Sequence, residues 1–178
     1  MRLHEKKVLS EPVFSGKIFD VTVDTAELED GSLARRDIIH HPGGVCVVPV
    51  TEDGMIYLVR QFRYPFGEVT TEIPAGKLNY GEEHGECGRR ELLEETGQIC
   101  GEYIYLGEFY PTPAYNSEIT HMYLARRLSD GEQCLDADEF LDVVKIPFTQ
   151  AIEMVLRNEI KDGKTQAAIL MAARYLGV

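Results

Sequence analysis

The sequence predicts a mixed α/β chain, on three observations. The first third alternates apolar and polar residues between turn signals, the period of half-buried strands. Residues 82–96 read as a helix closed by Gly97, with strand-like runs on both sides. Residues 148–176 then carry apolar side chains at helical spacing. Strands, a helix, more strands and two helices in that order fit one mixed sheet-and-helix architecture. At 178 residues the chain is long enough for one domain with a real core and a small extra element.

The elements justify themselves in turn. Residues 18–25 alternate as a strand. Asp30-Gly31 centres a hairpin turn, and residues 33–40 return from it. After the turn at His41-Pro42-Gly43-Gly44, residues 45–50 form a continuous apolar run suited to a strand buried on both faces. Glu52-Asp53-Gly54 turns the chain into a strand over residues 55–63. A short strand over residues 69–73 is stopped by Pro74-Ala75-Gly76. Further strands are expected at residues 103–110 and 119–125, and the acidic stretch 129–139 reads as a loop. Helices follow over residues 148–158, with a cap expected near Thr149-Gln150, and over residues 165–176.

Composition narrows the function classes. A net charge of -12 opposes a nucleic-acid polymer, whose phosphates would be repelled, yet leaves room for a small phosphorylated ligand bridged by a metal. No apolar run approaches the ~20 residues that span a bilayer. The opening residues lack the apolar stretch of a signal peptide, so cytoplasmic residence is expected. Cys46, Cys87, Cys100 and Cys134 form no C-x-x-C pair and read as small core residues. The five histidines form no H-E-x-x-H.

The chemistry concentrates in residues 76–98. Glu91, Glu94 and Glu95 stand at i, i+3 and i+4, so they share one helix face, expected to be exposed. Three carboxylates there repel one another and oppose the helix dipole at its C-terminal end. Divalent cations relieve that repulsion, and oxygen-only donors point to Mg2+, with Mn2+ possible. The bland alternative is a solvated acidic face paired with Arg89 and Arg90. The whole spacing decides between them. Gly76, Glu82, Arg90-Glu91-Leu92, Glu94-Glu95 and Gly97 fit G-x5-E-x7-R-E-U-x-E-E-x-G-U, where U is bulky and aliphatic. Gln98 departs from the last position, where Ile99 is expected to supply the packing.

This pattern resembles the signature of the Nudix hydrolase family. The resemblance implies a Nudix fold: a mixed β-sheet sandwiched between helices, with an N-terminal antiparallel strand region. Residues 1–40 would form that strand region, a dimerising element in relatives, and residues 41–178 the hydrolase domain. It further implies that Glu91, Glu94 and Glu95, with the Ala75 carbonyl, hold the metals. Arg90 would fix the carboxylates through a salt bridge with Glu82. The reaction would be attack of water on a phosphorus of a pyrophosphate.

Outside the signature, residues 58–65, 72–77, Tyr110-Pro111-Thr112-Pro113-Ala114 and Asp162-Gly163-Lys164-Thr165 look like the ADP-ribose pyrophosphatase group. The resemblance spans about residues 14–175. It places Arg36, Arg63, Glu72 and Pro113 at the substrate, the two guanidiniums being suited to bidentate phosphate contacts. The general base is expected among Asp136, Asp138 and Glu139, with Asp136 the best match. Many relatives carry Glu where Asp136 stands, and Thr112-Pro113-Ala114 replaces their Ser-Pro-Gly. The implied reaction is hydrolysis of ADP-ribose to AMP and ribose 5-phosphate by a homodimer. The alternatives are another nucleoside diphosphate sugar such as GDP-mannose, or a Nudix-fold module that binds a nucleotide without cleaving it.

Overall fold

The computed structural model describes residues 3–135, 137 and 139–178. The chain divides into two compact units, Met1–Gly43 with Tyr110–Ile119, and Gly44–Phe109 with Thr120–Val178.

The first unit is an antiparallel meander of β1 (Lys6–Ser15), β2 (Asp20–Glu27) and β3 (Leu33–His40), in the order β1-β2-β3. The β2–β3 turn is built on Gly31, whose φ of 82° needs a residue without Cβ strain. The 110–119 segment attaches to β3: the Ile39 amide donates to the Tyr115 carbonyl at 2.7 Å, and the Ser117 amide to the Ile39 carbonyl at 2.9 Å. β1 escapes a pattern reading because all ten of its residues are exposed, so neither face imposes an alternation.

The second unit holds two sheets and three helices. In chain order they are β4 (Gly44–Pro49), β5 (Met55–Arg63), β6 (Glu68–Glu72), β7 (Ala75–Lys77), α1 (His84–Thr96), β8 (Gln98–Phe109), β9 (Thr120–Asp130), β10 (Leu141–Pro147), α2 (Phe148–Leu156) and α3 (Gly163–Leu176). One sheet runs β7-β4-β9-β8, with β4 and β9 parallel and the other pairs antiparallel. The other runs β10-β5-β6, all antiparallel.

β4 is buried along its whole length, as its apolar run predicts, and its two faces serve two cores. Val45 and Val47 pack with Cys87 and Leu92 of α1, while Cys46 and Val48 pack with Ala168, Ile169 and Ala172 of α3. The sheet therefore lies between α1 on one side and α2 and α3 on the other. Each fully buried aliphatic side chain contributes roughly 1.5–3 kcal/mol.

Gly88 sets how closely α1 approaches. A Cβ there would stand 2.0 Å from the Tyr103 hydroxyl and 2.8 Å from Val45 Cγ2.

Several local expectations are corrected. α2 is preceded by Pro147 with no side-chain cap, in place of one from Thr149-Gln150. Ile99 is 49% exposed; Gln98 is itself buried, and its amide donates to Asp130 at 3.0 Å. A polar residue is tolerated there because it finds this partner. Cys134 is exposed, unlike the other three cysteines. Among the described residues no helix is long and apolar enough to cross a membrane.

Candidate active site

α1 carries the signature carboxylates, and the local sequence explains its bounds. Glu83 caps its start, accepting from the Glu86 amide at 3.0 Å. Gly97 ends it at φ 68°, its amide reaching the Leu93 carbonyl. Three more terminal carbonyls are met by the following loop. The Gly131 amide donates to Gly97 at 2.7 Å and the Cys134 amide to Glu94 at 3.1 Å, while Gln133 Nε2 donates to Glu95 at 2.5 Å. The helix that carries the carboxylates is thus tied to the acidic loop. No sequence signal marked Gln133.

One guanidinium organises the helix face. Arg90 Nε and Nη2 donate to Glu82 at 2.9 and 3.2 Å, and Nη1 reaches Glu91 at 2.8 Å and Glu94 at 2.7 Å. The Arg90 hydrogen bonds hold the Glu82 carboxyl at about 2. Arg89, by contrast, lies over the Tyr103 ring and donates to Cys100, so it does not pair with the acidic face.

Glu95 is 3% exposed, which overturns the expectation of an exposed face. The helix turns it inward, where its Oε2 accepts from the Ala75 amide at 3.1 Å. Burial pushes its carboxyl up to about 8, and the nearby charges of Glu139 and Glu91 add to that. Burial raises Glu91 as well, despite Arg90. Gly76 makes room for it: a Cβ at Gly76 would sit 1.9 Å from Glu91 Oε1 and 2.0 Å from Glu91 Cδ.

Among the described residues, no group of three or more His, Cys, Asp or Glu is gathered round one point. Glu91 and Glu94 turn to Arg90, and Glu95 turns to Ala75. The donor set nevertheless fits a hard divalent cation. Glu95 is buried with no cationic partner among the described residues, Glu91 is part-buried beside it, and every available donor is oxygen.

Arg63 and Glu72 form a second cluster, on β5 and β6. Arg63 Nε and Nη2 each donate to Glu72 at 2.7 Å, a bidentate pair. Thr70 donates to Glu72 at 2.7 Å and Lys164 at 2.5 Å. They line a cavity of about 300 Å³ with Phe66 and Lys161. Lys164 also donates to Asp162 at 2.9 Å. Burial works to raise the Glu72 carboxyl, but Arg63 and Lys164 outweigh it and hold it at about 2.

A folded-state value below the ordinary 4.5 stabilises the fold above pH 4.5, and that stabilisation is lost as pH falls toward about 2. Its size is at most roughly 3 kcal/mol, less once water screens the part-exposed Arg63. Urea unfolding of wild type and Glu72→Gln between pH 5 and 2.5 is expected to show a shallower acid loss in the variant.

The other expected site residues are Arg36, Pro113, Asp136, Asp138 and Glu139. Arg36 lies on β3 of the first unit, its guanidinium held by Glu5 at 2.9 and 2.7 Å. Pro113 is exposed in the same unit. Asp136 and Asp138 lie outside the described residues. Glu139 is described, and its charge is felt at both Glu91 and Glu95.

Comparison with protein families places this arrangement: the NUDIX domain matches residues 40–169, so the chain belongs to the Nudix family. Hydrolases of this family generally use a divalent metal. The chain is 41% identical to the ADP-ribose pyrophosphatase of Bacillus subtilis, over 94% of this chain and 91% of that protein. It is 38% identical to the methanol dehydrogenase activator of Bacillus methanolicus, over 93% and 90%. A crystal structure of an ADP compounds hydrolase has the same fold, with a TM-score of 0.85 at 20% identity, covering 97% of this chain and 94% of that one.

Proposed function

We propose that this chain is a Mg2+-dependent ADP-ribose diphosphatase that yields AMP and ribose 5-phosphate. The observation that carries the reading is the carboxylate pair, Glu95 buried and Glu91 part-buried against Arg90, set in a Nudix signature that departs only at Gln98. The relative at 41% identity that bears the name ADP-ribose pyrophosphatase supports the substrate.

Glu91, Glu94, Glu95 and the Ala75 carbonyl would hold the cation. When bound, a divalent ion polarises phosphoryl oxygens and lowers the pKa of water. Arg90 keeps the carboxylates from splaying apart. Arg63 has Nε and Nη2 committed to Glu72, which leaves Nη1 for a phosphate oxygen. Glu72, with four donors on it, orients Arg63 and does not move a proton. The water oxygen bonds to phosphorus, the bridging P–O bond breaks, and the leaving phosphate carries away the electron pair. The water's proton passes to a carboxylate of the acidic loop, from Asp136, Asp138 or Glu139.

Residues 41–178 form the hydrolase domain, and residues 1–40 pair two copies into a homodimer. Supporting the pairing, Val8, Leu9, Val13 and Phe14 leave an apolar surface on β1. Sedimentation equilibrium is expected to give twice the chain mass. A cytoplasmic location accords with four free thiols.

The test is kcat/KM for ADP-ribose, GDP-mannose and UDP-glucose under Mg2+ or Mn2+. ADP-ribose is expected to lead by tenfold or more. A GDP-mannose lead would keep the reaction and replace the substrate. Tight binding without turnover of any compound would replace the enzyme with a nucleotide-binding module.

A further inference from the structure

Between the two clusters of the site lies a short segment, Ile73-Pro74-Ala75, that joins β6 to β7 and so passes from one sheet to the other. On its first side Glu72 fixes Arg63. On its last, the Ala75 amide meets Glu95. Ala75 is paired with Cys46 of β4, while Ile73 and Pro74 lie outside both strands. The Pro74 carbonyl accepts from the Val47 amide at 2.9 Å, and Pro74 has no amide to donate. The Ile73 amide belongs to a fully buried residue and finds no strand partner; it donates to the hydroxyl of Thr165 at 3.1 Å.

Thr165 is itself fully buried, in the first turn of α3. Its hydroxyl donates to Asp162 Oδ2 at 2.6 Å, so the hydroxyl's proton is committed and its lone pair must face Ile73. Asp162 is the N-cap of α3, and the same oxygen accepts from the Thr165 amide at 3.0 Å and from Lys164 at 2.9 Å. Asp162 therefore fixes both halves of the bracket: Lys164 on the Glu72 carboxylate and Thr165 on the next residue's amide.

We propose that Thr165 is a positioning residue that sets the spacing between the Arg63–Glu72 phosphate cluster and the Ala75–Glu95 metal cluster. It acts through the Ile73 amide. Without it, that donor is buried unpaired, and the segment must shift to reach another acceptor or water. A shift carries along the Ala75 carbonyl and the contact of the Ala75 amide with Glu95. An ångström of misplacement at such a site costs on the order of 100-fold in rate. This inference rests on the metal-site reading above, so its test has a readout independent of turnover.

The experiment compares wild type, Thr165→Val and Thr165→Ser. Val keeps the volume and removes the hydroxyl; Ser keeps the hydroxyl. Mn2+ affinity is measured by electron paramagnetic resonance on the protein alone, well below each variant's melting temperature, with folding verified by circular dichroism. Thr165→Val is expected to bind Mn2+ about tenfold more weakly, and Thr165→Ser to recover within threefold of wild type. With ADP-ribose, Thr165→Val should lose kcat by roughly 10- to 100-fold while KM moves less than threefold. Thr165→Val with wild-type Mn2+ affinity overturns the inference, as does a wild type that binds no Mn2+. Should Thr165→Val fail to fold, Thr165→Ser at unchanged affinity beside a Thr165→Ala weakened tenfold sustains it, and an unweakened Thr165→Ala ends it. If wild type binds Mn2+ yet leaves ADP-ribose intact, the substrate reading fails, and the Mn2+ comparison still decides the role of Thr165.

Discussion

Glu95→Gln is expected to lower ADP-ribose turnover by at least roughly 1,000-fold, about 4 kcal/mol of barrier, and to leave the fold intact. The two parts of this result have one cause. Glu95 is almost fully buried, and burial already pushes its carboxyl up to about 8. Such a group is costly to keep charged, so a fold optimised for stability alone would not retain it. Glutamine has nearly the same shape, and its amide oxygen can still accept from the Ala75 amide. The metal-free variant should therefore melt at or above the wild-type temperature. What it loses is a charged oxygen donor. Wild type at 100 times its Kd for Mg2+ gains about 2.7 kcal/mol, roughly 5–10 °C in a chain of this size. Glu95→Gln should gain little. Scanning calorimetry with and without Mg2+, beside the rate assay, checks both halves. A variant with wild-type turnover would remove Glu95 from the metal site.

Gly76→Ala is the second large effect, and here the cause is steric. A Cβ at Gly76 would lie within bonding distance of the Glu91 carboxylate, 1.9 Å from Oε1 and 2.6 Å from Cγ. Glu91 must turn away, because Gly76 is held in β7 by pairing with Val45. Turning breaks the Arg90–Glu91 contact at 2.8 Å and leaves a part-buried carboxylate without its partner. Turnover is expected to fall 100-fold or more, with a stability loss of about 1–3 kcal/mol. Steady-state kinetics and urea unfolding read the two. Gly54→Ala, where an added Cβ meets nothing but φ is 77°, should cost stability alone.

What the sequence made legible was what leaves a period or a fixed spacing. The six-residue apolar run of β4 announced a strand covered on both faces, and it is one. Gly97 announced the end of α1 and stands at positive φ. Arg90 was expected to grip Glu82 and does so with two nitrogens. β1 left no trace because it buries neither face, and residues 141–147 drew no strand reading because none of β10 is fully buried. The burial of Glu95 was equally hidden. Helical spacing gives the face a residue shares, and says nothing of what covers that face. The Lys164 contact on Glu72 and the Gln133 tether on Glu95 come from residues 92 and 38 positions away in the chain, which no local pattern encodes.

Metal-dependent splitting of a nucleoside diphosphate is the reaction proposed for these carboxylates. Its most direct test incubates the purified chain with ADP-ribose, once with Mg2+ and once after exhaustive chelation, and separates the products by anion-exchange chromatography. The account predicts AMP and ribose 5-phosphate in equal amounts with Mg2+, and intact ADP-ribose without it. Products that form equally in the chelated sample, or ADP-ribose that survives Mg2+ untouched, would contradict it.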